Sequence, residues 1–455
     1  MRTAIIGTGY VGVVTGVGAA LDGHEVVCLD VLKEKVDTLN AGKAPFYEPG
    51  LDSAIRKMVG KGRLRASTDL VGELKAAEIS FTCVGTPPKN DGTADLRWVK
   101  EAARSIGEAI RPCDHYHLAV MKSTVPPGTC AGLFIPTIAE VAKVSAGEFG
   151  AAMNPEFLRE GNALEDSREP DRIIIGAFDN KSGKMLLEFY KRKKCPRLTM
   201  GMTAAELVKY ASNSFLATKI AFSNEMGNLC ETFGVDVYEV MEGVGLDFRI
   251  NPHFLRAGAG FGGSCFPKDV SALARVAEER GVRSRILEAV LDQNEEQPRR
   301  VVELAEKALG SLSGKNVAIL GLTFKPDTDD VRFSRAAPII RGLLEKGATV
   351  TAFDPKGMDN FHKEFGLPIR YAHSAEEAIR DKDAVVFQTE WKEFRRIHAS
   401  HYGKLMKEPV VIDGRRTVDA GKLRKAGVRY FAIGAPNEPC VRLSSAVSKI
   451  ETLYL

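Results

Sequence analysis

At 455 residues, with 44% hydrophobic and 27% charged residues, the chain has ordinary globular composition and length enough for two or three domains, which excludes a disordered chain. Lys plus Arg (63) against Asp plus Glu (59) leaves a net charge of only +4, so the balance gives no footprint for nucleic acid or an anionic membrane surface. No window holds the ~20 consecutive apolar residues of a spanning helix. The opening MRTAIIGTG lacks the long apolar region of a signal peptide, which reads as a cytoplasmic chain. Eight cysteines stand singly, at Cys28, Cys83, Cys113, Cys130, Cys195, Cys230, Cys265 and Cys440. They form no CxxC pair and no Cys/His cluster at zinc spacing, so no metal site is expected. Seven read as inert buried thiols; Cys265 is the exception.

The first forty residues predict strand, turn, helix, strand. TAIIG is a short apolar strand, GTGYVG the turn, VVTGVGAALDG a small-residue helix, and HEVVCLD a second strand ending in Asp30. Strands EISFTCVG, HLAVMKST and DRIIIGA follow, alternating with helical patterns, which indicates a parallel sheet covered on both faces. The turn is GxGxxG in its diagnostic context. Gly7 permits the tight turn, Gly9 lets backbone approach a pyrophosphate, and Gly12 lets helix pack on strand. Asp30 falls about twenty residues on, where an acid would accept from a ribose 2′-hydroxyl and repel a 2′-phosphate. That favours NAD over NADP, tempered by Lys35 nearby.

Near Gly201 the pattern becomes helical. Thr203 is a plausible N-cap for a long segment, AAELVKYASNSFLATKIAFSNEMGNLCETFG, that ends at Gly234. SRILEAVLDQNEEQ is a further helix, and RRVVELAEKALG is another after Pro298. Lys209 and Asn213 are four apart on the long helix and share a face. They are either a snorkelling lysine with an exposed amide or a deliberate polar pair. Glu156 and Glu160 in NPEFLREG are either solvated or paired acids. GAGFGGSCFPKD is the most informative stretch. Its glycines leave backbone exposed for a ligand, and Lys268 and Asp269 sit where a cation favours the Cys265 thiolate. The alternative is a flexible turn with an incidental thiol.

A second α/β block begins at KNVAILGLTF, with helix APIIRGLLEKG, strand ATVTAFDP ending in Asp354, and strands DAVVFQTEW and EPVVIDGRR. Its first loop, GLTFKPDTDDVRFS, is no GxGxxG, so the block repeats the fold with different loop chemistry. The expected division is 1–200 for cofactor binding, 201–309 as helical connector and dimer surface carrying the Cys loop, and 310–455 as the second α/β domain.

Taken in order, GTGYVG, YEPGL, FTCVGTPP with DGTADL, KSTVPPGT, NPEFLREG, ELVKYASNSFLATKI, GFGGSCFPKD, GLTFKPDTDDVR and DGRR resemble the UDP-glucose 6-dehydrogenase family over nearly the whole chain. The resemblance implies two Rossmann-like doubly wound parallel-sheet domains joined by a long central helix, in a homodimer. It implies oxidation of the C6 hydroxyl of UDP-glucose to a carboxylate with two NAD, through a covalent thiohemiacetal and thioester on Cys265. Lys209 and Asn213 would stabilise charge on the C6 oxygen. Asp269 with Thr124, and Glu156 with Glu160, would move protons and activate water. Phe157 and Leu158 would offer main-chain groups to the sugar nucleotide. The pocket would be completed by Phe254, Arg256, Gly258 and Gly262 in the glycine loop, Phe324 and Lys325. Arg249 would reach the substrate of the partner subunit, and Arg415, with Arg416 beside it, would contact the substrate. Cofactor contacts would come from Gly7, Gly9, Tyr10, Val11, Gly12, Asp30 and Lys35, and from Val84, Thr86, Ser123, Thr124, Glu160, Lys268 and Arg332. GDP-mannose dehydrogenases share GGSC-PKD and NPEFLRE and are the nearest rival; FYEPGL, FLATKI and GFGG favour UDP-glucose. A catalytically dead sensor is disfavoured, since Cys265, Lys209 and Asp269 are all present.

Overall fold

The structure, a computed structural model, describes residues 1–436 apart from 90, 112–114 and 146. Cys113 and Cys440 therefore lie outside the described residues. The chain forms two compact units. One comprises Met1–Ser214, Lys268–Ser284 and Asp327–Asp329; the other comprises Phe215–Pro267, Arg285–Pro326 and the chain from Asp330 onward.

The first unit is built on eight strands: β1 Arg2–Ile6, β2 Glu25–Leu29, β3 Leu64–Ser67, β4 Ile79–Thr82, β5 Leu118–Met121, β6 Gly150–Met153, β7 Ile173–Ala177 and β8 Arg197–Met200. Their order in the sheet is β3-β2-β1-β4-β5-β6-β7-β8. Strands β1, β4, β5 and β6 are buried almost throughout, which is why they read as near-continuous apolar runs. Two apolar layers cover the faces, one around Val99, Ile106 and Phe134, the other around Val13, Val17 and Ile55. The sheet is parallel except between β6 and β7, which pair antiparallel. An antiparallel neighbour needs no crossover to the opposite end. Residues 154–172, which hold NPEFLREG, thus stay at the carboxyl edge of the sheet, beside the loops after β1, β4 and β5. Strands β3 (LRAS), β6 (GAAM) and β8 (RLTM) carry small or exposed residues and had no distinct apolar signal.

The second unit repeats the theme with β9 Asn316–Leu320, β10 Thr349–Phe353, β11 Arg370–Tyr371, β12 Ala384–Phe387, β13 Val410–Asp413 and β14 Arg429–Ala432. The order is β11-β10-β9-β12-β13-β14, with every pair parallel. Its two faces are also covered, around Val301, Ile339 and Phe361 and around Phe387, Trp391 and Tyr402.

Two helix expectations are corrected. The long helix runs Met202–Phe233, so Thr203 lies inside it rather than capping it. Gly234, at φ +67°, does end it in the left-handed conformation that glycine adopts without strain. Pro298 does not separate two helices, because one helix runs Arg285–Leu309 straight through it. Proline cannot donate to the carbonyl four residues back. Here that carbonyl, of Asn294, accepts instead from the Arg335 guanidinium at 3.4 Å. Among the described residues no helix is long and apolar enough to cross a membrane.

Candidate active site

The cofactor cradle forms where β1 runs into the first helix, Tyr10–Leu21. Gly7 has φ +95°, and a Cβ there would meet the Cys83 carbonyl at 2.8 Å. A Cβ on Gly12 would lie 1.9 Å from the Gly7 carbonyl oxygen, so strand and helix close only with glycine at that position. Gly9 is exposed and faces open space, and the helix start has no side-chain cap. Uncapped amides beside free space suit a phosphate. Asp30 stands at the end of β2. Its Oδ2 accepts from Thr8 N (2.9 Å) and Thr8 Oγ1 (2.5 Å), and Oδ1 from Leu32 N (3.0 Å). Lys35 is 3.9 Å away. Burial alone would raise the carboxyl, but the Thr8 and Leu32 donors outweigh it and hold Asp30 below the usual carboxylate range. These groups fit a dinucleotide: room for pyrophosphate at Gly9, and an ionised acid at the ribose position.

The loops after β4 and β5 are tied together beside this cradle. Ser123 Oγ donates to the Val84 carbonyl (2.7 Å) and the Thr82 carbonyl (3.2 Å), and Thr86 Oγ1 donates to the Thr124 carbonyl (2.8 Å). Val11 is partly buried in the core below. Tyr10 turns its hydroxyl into the buried Glu48 carboxylate, which also accepts from Gly161 N (2.6 Å) and Ala163 N (2.8 Å). The sequence reading did not single out Glu48. Its signal was the acid inside YEPGL, which joins the cofactor helix to the NPEFLREG loop. Glu206 was missed likewise; buried, it accepts from Gly128 N (2.5 Å) and Cys130 N (2.7 Å) and fixes the KSTVPPGT loop.

A buried polar cluster occupies the same unit. Lys209 Nζ lies 2.8 Å from Glu156 Oε1, with both side chains almost fully buried. Glu156 Oε2 accepts from Leu158 N at 2.6 Å. Burial opposes ionisation of Glu156, yet the Lys209 ammonium, that amide and Lys122 hold it below the usual range. Asn213 Nδ2 donates to Asp269 Oδ2 (2.6 Å), and Lys268 Nζ to Asp269 Oδ1 (2.5 Å). Asp269 is 1% exposed. The snorkelling alternative for Lys209 and Asn213 is thus overturned: both face inward onto carboxylates. Glu156 is not solvated either, whereas Glu160 is partly buried and accepts from Thr328 Oγ1 at 3.4 Å. The Phe157 ring lies under the Arg172 guanidinium at 3.8 Å, with Lys209 Nζ at 5.6 Å.

The remaining expected residues belong to the second unit. The glycine loop is not exposed backbone, as the sequence suggested; it is buried. A Cβ on Gly258 would meet the Gly414 carbonyl (2.7 Å), on Gly262 the Phe333 carbonyl (2.4 Å), and on Gly263 the Phe324 ring (2.6 Å). The glycines are there for close packing. The loop is pinned by Asn224 Oδ1, which accepts from Gly258 N (2.7 Å), and Asn294 Oδ1, which accepts from Phe261 N (2.7 Å). It delivers Cys265, partly exposed, immediately before helix Phe266–Glu279, whose first turn carries Lys268 and Asp269. A helix start favours a thiolate. The other described cysteines differ: burial pushes Cys28 and Cys83 up to about 12 and raises Cys130, Cys195 and Cys230. Phe254 sits at φ +65°, Arg256 is exposed, and Lys325 Nζ lies 5.5 Å from the Phe324 ring centre. Arg249 pairs with Asp247 and Arg332 with Asp330. The two adjacent arginines separate clearly. Arg416 is taken by Asp236 (2.6 Å) and stacks on Tyr238, whereas Arg415 donates through Nε to the Gln388 carbonyl (3.1 Å) and, among the described residues, makes no ion pair.

Models of three domains match in order: the UDP-glucose/GDP-mannose dehydrogenase NAD binding domain over residues 1–194, the central domain over 203–296, and the UDP binding domain over 318–420. The chain belongs to the UDP-glucose/GDP-mannose dehydrogenase family. Within this family it is 43% identical to a UDP-glucose 6-dehydrogenase of Rickettsia conorii, over 96% of this chain and 100% of that protein. It is 40% identical to UDP-glucose 6-dehydrogenase TuaD of Bacillus subtilis, over 96% and 93%. A solved UDP-glucose dehydrogenase from the archaeon Pyrobaculum islandicum is 45% identical and superposes with a TM-score of 0.89, covering 95% of this chain and 98% of that one.

Proposed function

We propose that this member of the family is an NAD-dependent UDP-glucose 6-dehydrogenase that takes the C6 alcohol to the carboxylate in two oxidations. The observation that carries this reading is the buried cluster of Lys209, Glu156, Asn213 and Asp269 in the same unit as the dinucleotide cradle. Buried charges are held at such a cost where they act on a reacting group. NAD supplies the hydride acceptor, twice per turnover. Gly9, the helix start and Asp30 hold its pyrophosphate and ribose, with Val84, Thr86, Ser123 and Thr124 flanking.

Lys209 and Asn213 donate to the C6 oxygen as negative charge develops on it. The hydroxyl proton leaves through Asp269 and a water at Thr124. The Cys265 thiolate then adds to the aldehyde carbon; a C–S bond forms and the oxygen takes a proton, giving a thiohemiacetal. Loss of the second hydride gives the thioester. Glu156 and Glu160 orient and deprotonate a water that adds to it, and the C–S bond breaks to give carboxylate and thiol. Phe254, Arg256, Gly258, Gly262, Phe324, Lys325 and Arg415 are assigned to the nucleotide sugar, with Phe157 and Leu158 offering main-chain groups. Arg415 rather than Arg416 takes the substrate role, since Arg416 is already neutralised by Asp236. Residues 1–200 bind cofactor, 201–309 connect and dimerise, and 310–455 bind the UDP-sugar.

The reading makes the enzyme a cytoplasmic homodimer, with the partner subunit reached by Arg249. Phe215, Phe222, Leu229 and Phe233 recur along one stretch of the long helix with exposed rings and chains, which supports a covered face there.

NADH formation with limiting UDP-glucose, run beside GDP-mannose and UDP-N-acetylmannosamine, tests the reading. The expected result is two NADH per UDP-glucose and none from the others. One NADH per sugar removes Cys265 from its role, and activity on GDP-mannose alone overturns the substrate. Cys265→Ser is expected to give at most slow, incomplete oxidation, because a hydroxyl is a far weaker nucleophile near neutral pH.

A further inference from the structure

A second buried ammonium lies in the neighbourhood of the Lys209–Glu156 pair. Lys122, just after β5, is 7% exposed. Among the described residues it makes no ion pair. Its Nζ donates to Asn154 Oδ1 at 2.9 Å and to the Asn154 carbonyl at 3.4 Å. Asn154 is itself locked: the Tyr190 hydroxyl donates to the same Oδ1 (2.7 Å), and Asn154 Nδ2 donates to the Ile174 carbonyl (2.8 Å). An ammonium buried against neutral acceptors is costly, and burial disfavours its charged form. Nothing in the fold of the sheet demands a lysine at this point.

Its surroundings supply a reason. Lys122, Asn154, Glu156 and Tyr190 line one cavity of ≈ 80 Å³, enough for several ordered waters. Two cations act on Glu156, Lys209 from the long helix and Lys122 from the loop after β5, with the Cys83 thiol also near from the loop after β4. The other charged groups of the lining are Asp22 and Lys193, paired at 2.7 Å, Asp166, bound by Arg159, and Asp171 and Arg172. Lys209 has a conflict of duty. It holds Glu156 at 2.8 Å, yet the proposed function asks the same ammonium to follow charge onto the C6 oxygen. Lys122, fixed by Asn154, has no such competing task.

We propose that Lys122 is a positioning residue for Glu156: a standing positive charge that keeps this carboxylate ionised and in place while Lys209 is drawn onto the substrate. The inference rests on the reaction proposed above. Its test is the pH dependence of kcat for Lys122→Met, with NADH yield per UDP-glucose measured in the wild type as control. Lys122→Met is expected to lower kcat about tenfold, leave KM for UDP-glucose within about twofold, and move the acid limb of the profile up by about one pH unit, because a carboxylate that loses a nearby cation protonates more readily. Lys122→Arg keeps the charge and should restore the limb. In a Glu156→Gln background, Lys122→Met should add little further loss.

A folded Lys122→Met enzyme with an unmoved acid limb, or with the same added loss in the Glu156→Gln background, overturns the proposal. Should Lys122→Met fail to fold, Asn154→Asp draws the ammonium onto a new carboxylate and is expected to raise the limb likewise; an unmoved limb there overturns it too. A wild type that yields no NADH from UDP-glucose instead overturns the proposed function, so the two failures are distinguishable.

Discussion

Asp30 and Asp354 occupy the same position in two copies of one topology, each closing the second strand of a strand–helix–strand start. Around Asp354 the protein supplies every donor. Leu322 N (2.7 Å), Thr323 N and Oγ1 (3.0 Å each) and Trp391 Nε1 (3.1 Å) converge on Oδ2, and Lys356 N (2.9 Å) and Gly357 N (2.8 Å) on Oδ1. It is fully buried. Asp30 keeps 10% of its side chain exposed and takes its three donors from Thr8 and Leu32 alone. The first glycine of each loop differs in the same sense. A Cβ on Gly321 would run into Thr389 at 2.4 Å, and Thr389 Oγ1 seals the loop by donating to the Thr323 carbonyl at 2.6 Å. The first loop offers Gly9 and open space two residues after its own turn. One carboxylate is consumed in holding its fold together; the other retains capacity for a ligand. A shared topology therefore does not carry a shared site.

The comparison is most sharply tested by removing each acid. Asp354→Ala strands a set of buried donors, each worth roughly 1 kcal/mol or more, and is expected to destabilise the second unit by about 4 kcal/mol, read as loss of its thermal transition. The same change at Asp30 should leave thermal stability within about 1 kcal/mol. A small stability loss at Asp354 would break the contrast.

Acid should next separate the units. His117 is buried between Ser80 Oγ (2.8 Å) and the Ala77 carbonyl (2.9 Å), and burial lowers it to about 4. Its folded value lies below its unfolded value near 6.5, so the unfolded chain binds the extra proton between them. The first unit thus loses up to about 3 kcal/mol from this group as pH falls from 6.5 through 4. In the second unit burial raises Asp413 above the usual range, so its neutral form is favoured in the fold and its contribution improves as pH falls through that raised value. Hydrogen exchange followed separately in the two units across pH 7 to 4 should show protection falling first near His117, and His117→Gln should remove that dependence.

Smaller effects belong to the cofactor. Asp30→Ala is expected to raise KM for NAD about tenfold, about 1.4 kcal/mol, and to narrow the gap to NADP. An unchanged NAD/NADP preference would show that Asp30 does not face the ribose. Gly9→Ala, with nothing to strike in the protein, should raise KM for NAD several-fold without moving Tm. Gly12→Ala, driven against the Gly7 carbonyl, should instead lose folded protein.

Much of this molecule could be read before any coordinates. The two apolar-strand series, the GxGxxG turn, Asp30 and the ordered motifs each depend on local spacing, and local spacing is what a sequence displays. The helix errors came from long-range compensation. Pro298 sits inside a helix because Arg335, remote in sequence, satisfies the carbonyl that proline orphans. Lys209 and Asn213 could be read as surface residues because their partners, Glu156 and Asp269, lie about fifty residues away along the chain in opposite directions. Glu48, Glu206 and Lys122 went unremarked for the same reason: each matters through amides or amide side chains distant in sequence.

The sequence by itself determined the two sheets, the order of their leading strands and the place where a dinucleotide is cradled. These follow from hydrophobic periodicity and from glycines whose conformational need is local. Only the tertiary structure decided which charges are buried and with whom, which of two adjacent arginines is already neutralised, and that the glycines before Cys265 serve packing rather than access. Ionisation and burial depend on what surrounds a group in space, and the sequence lists neighbours along only one line.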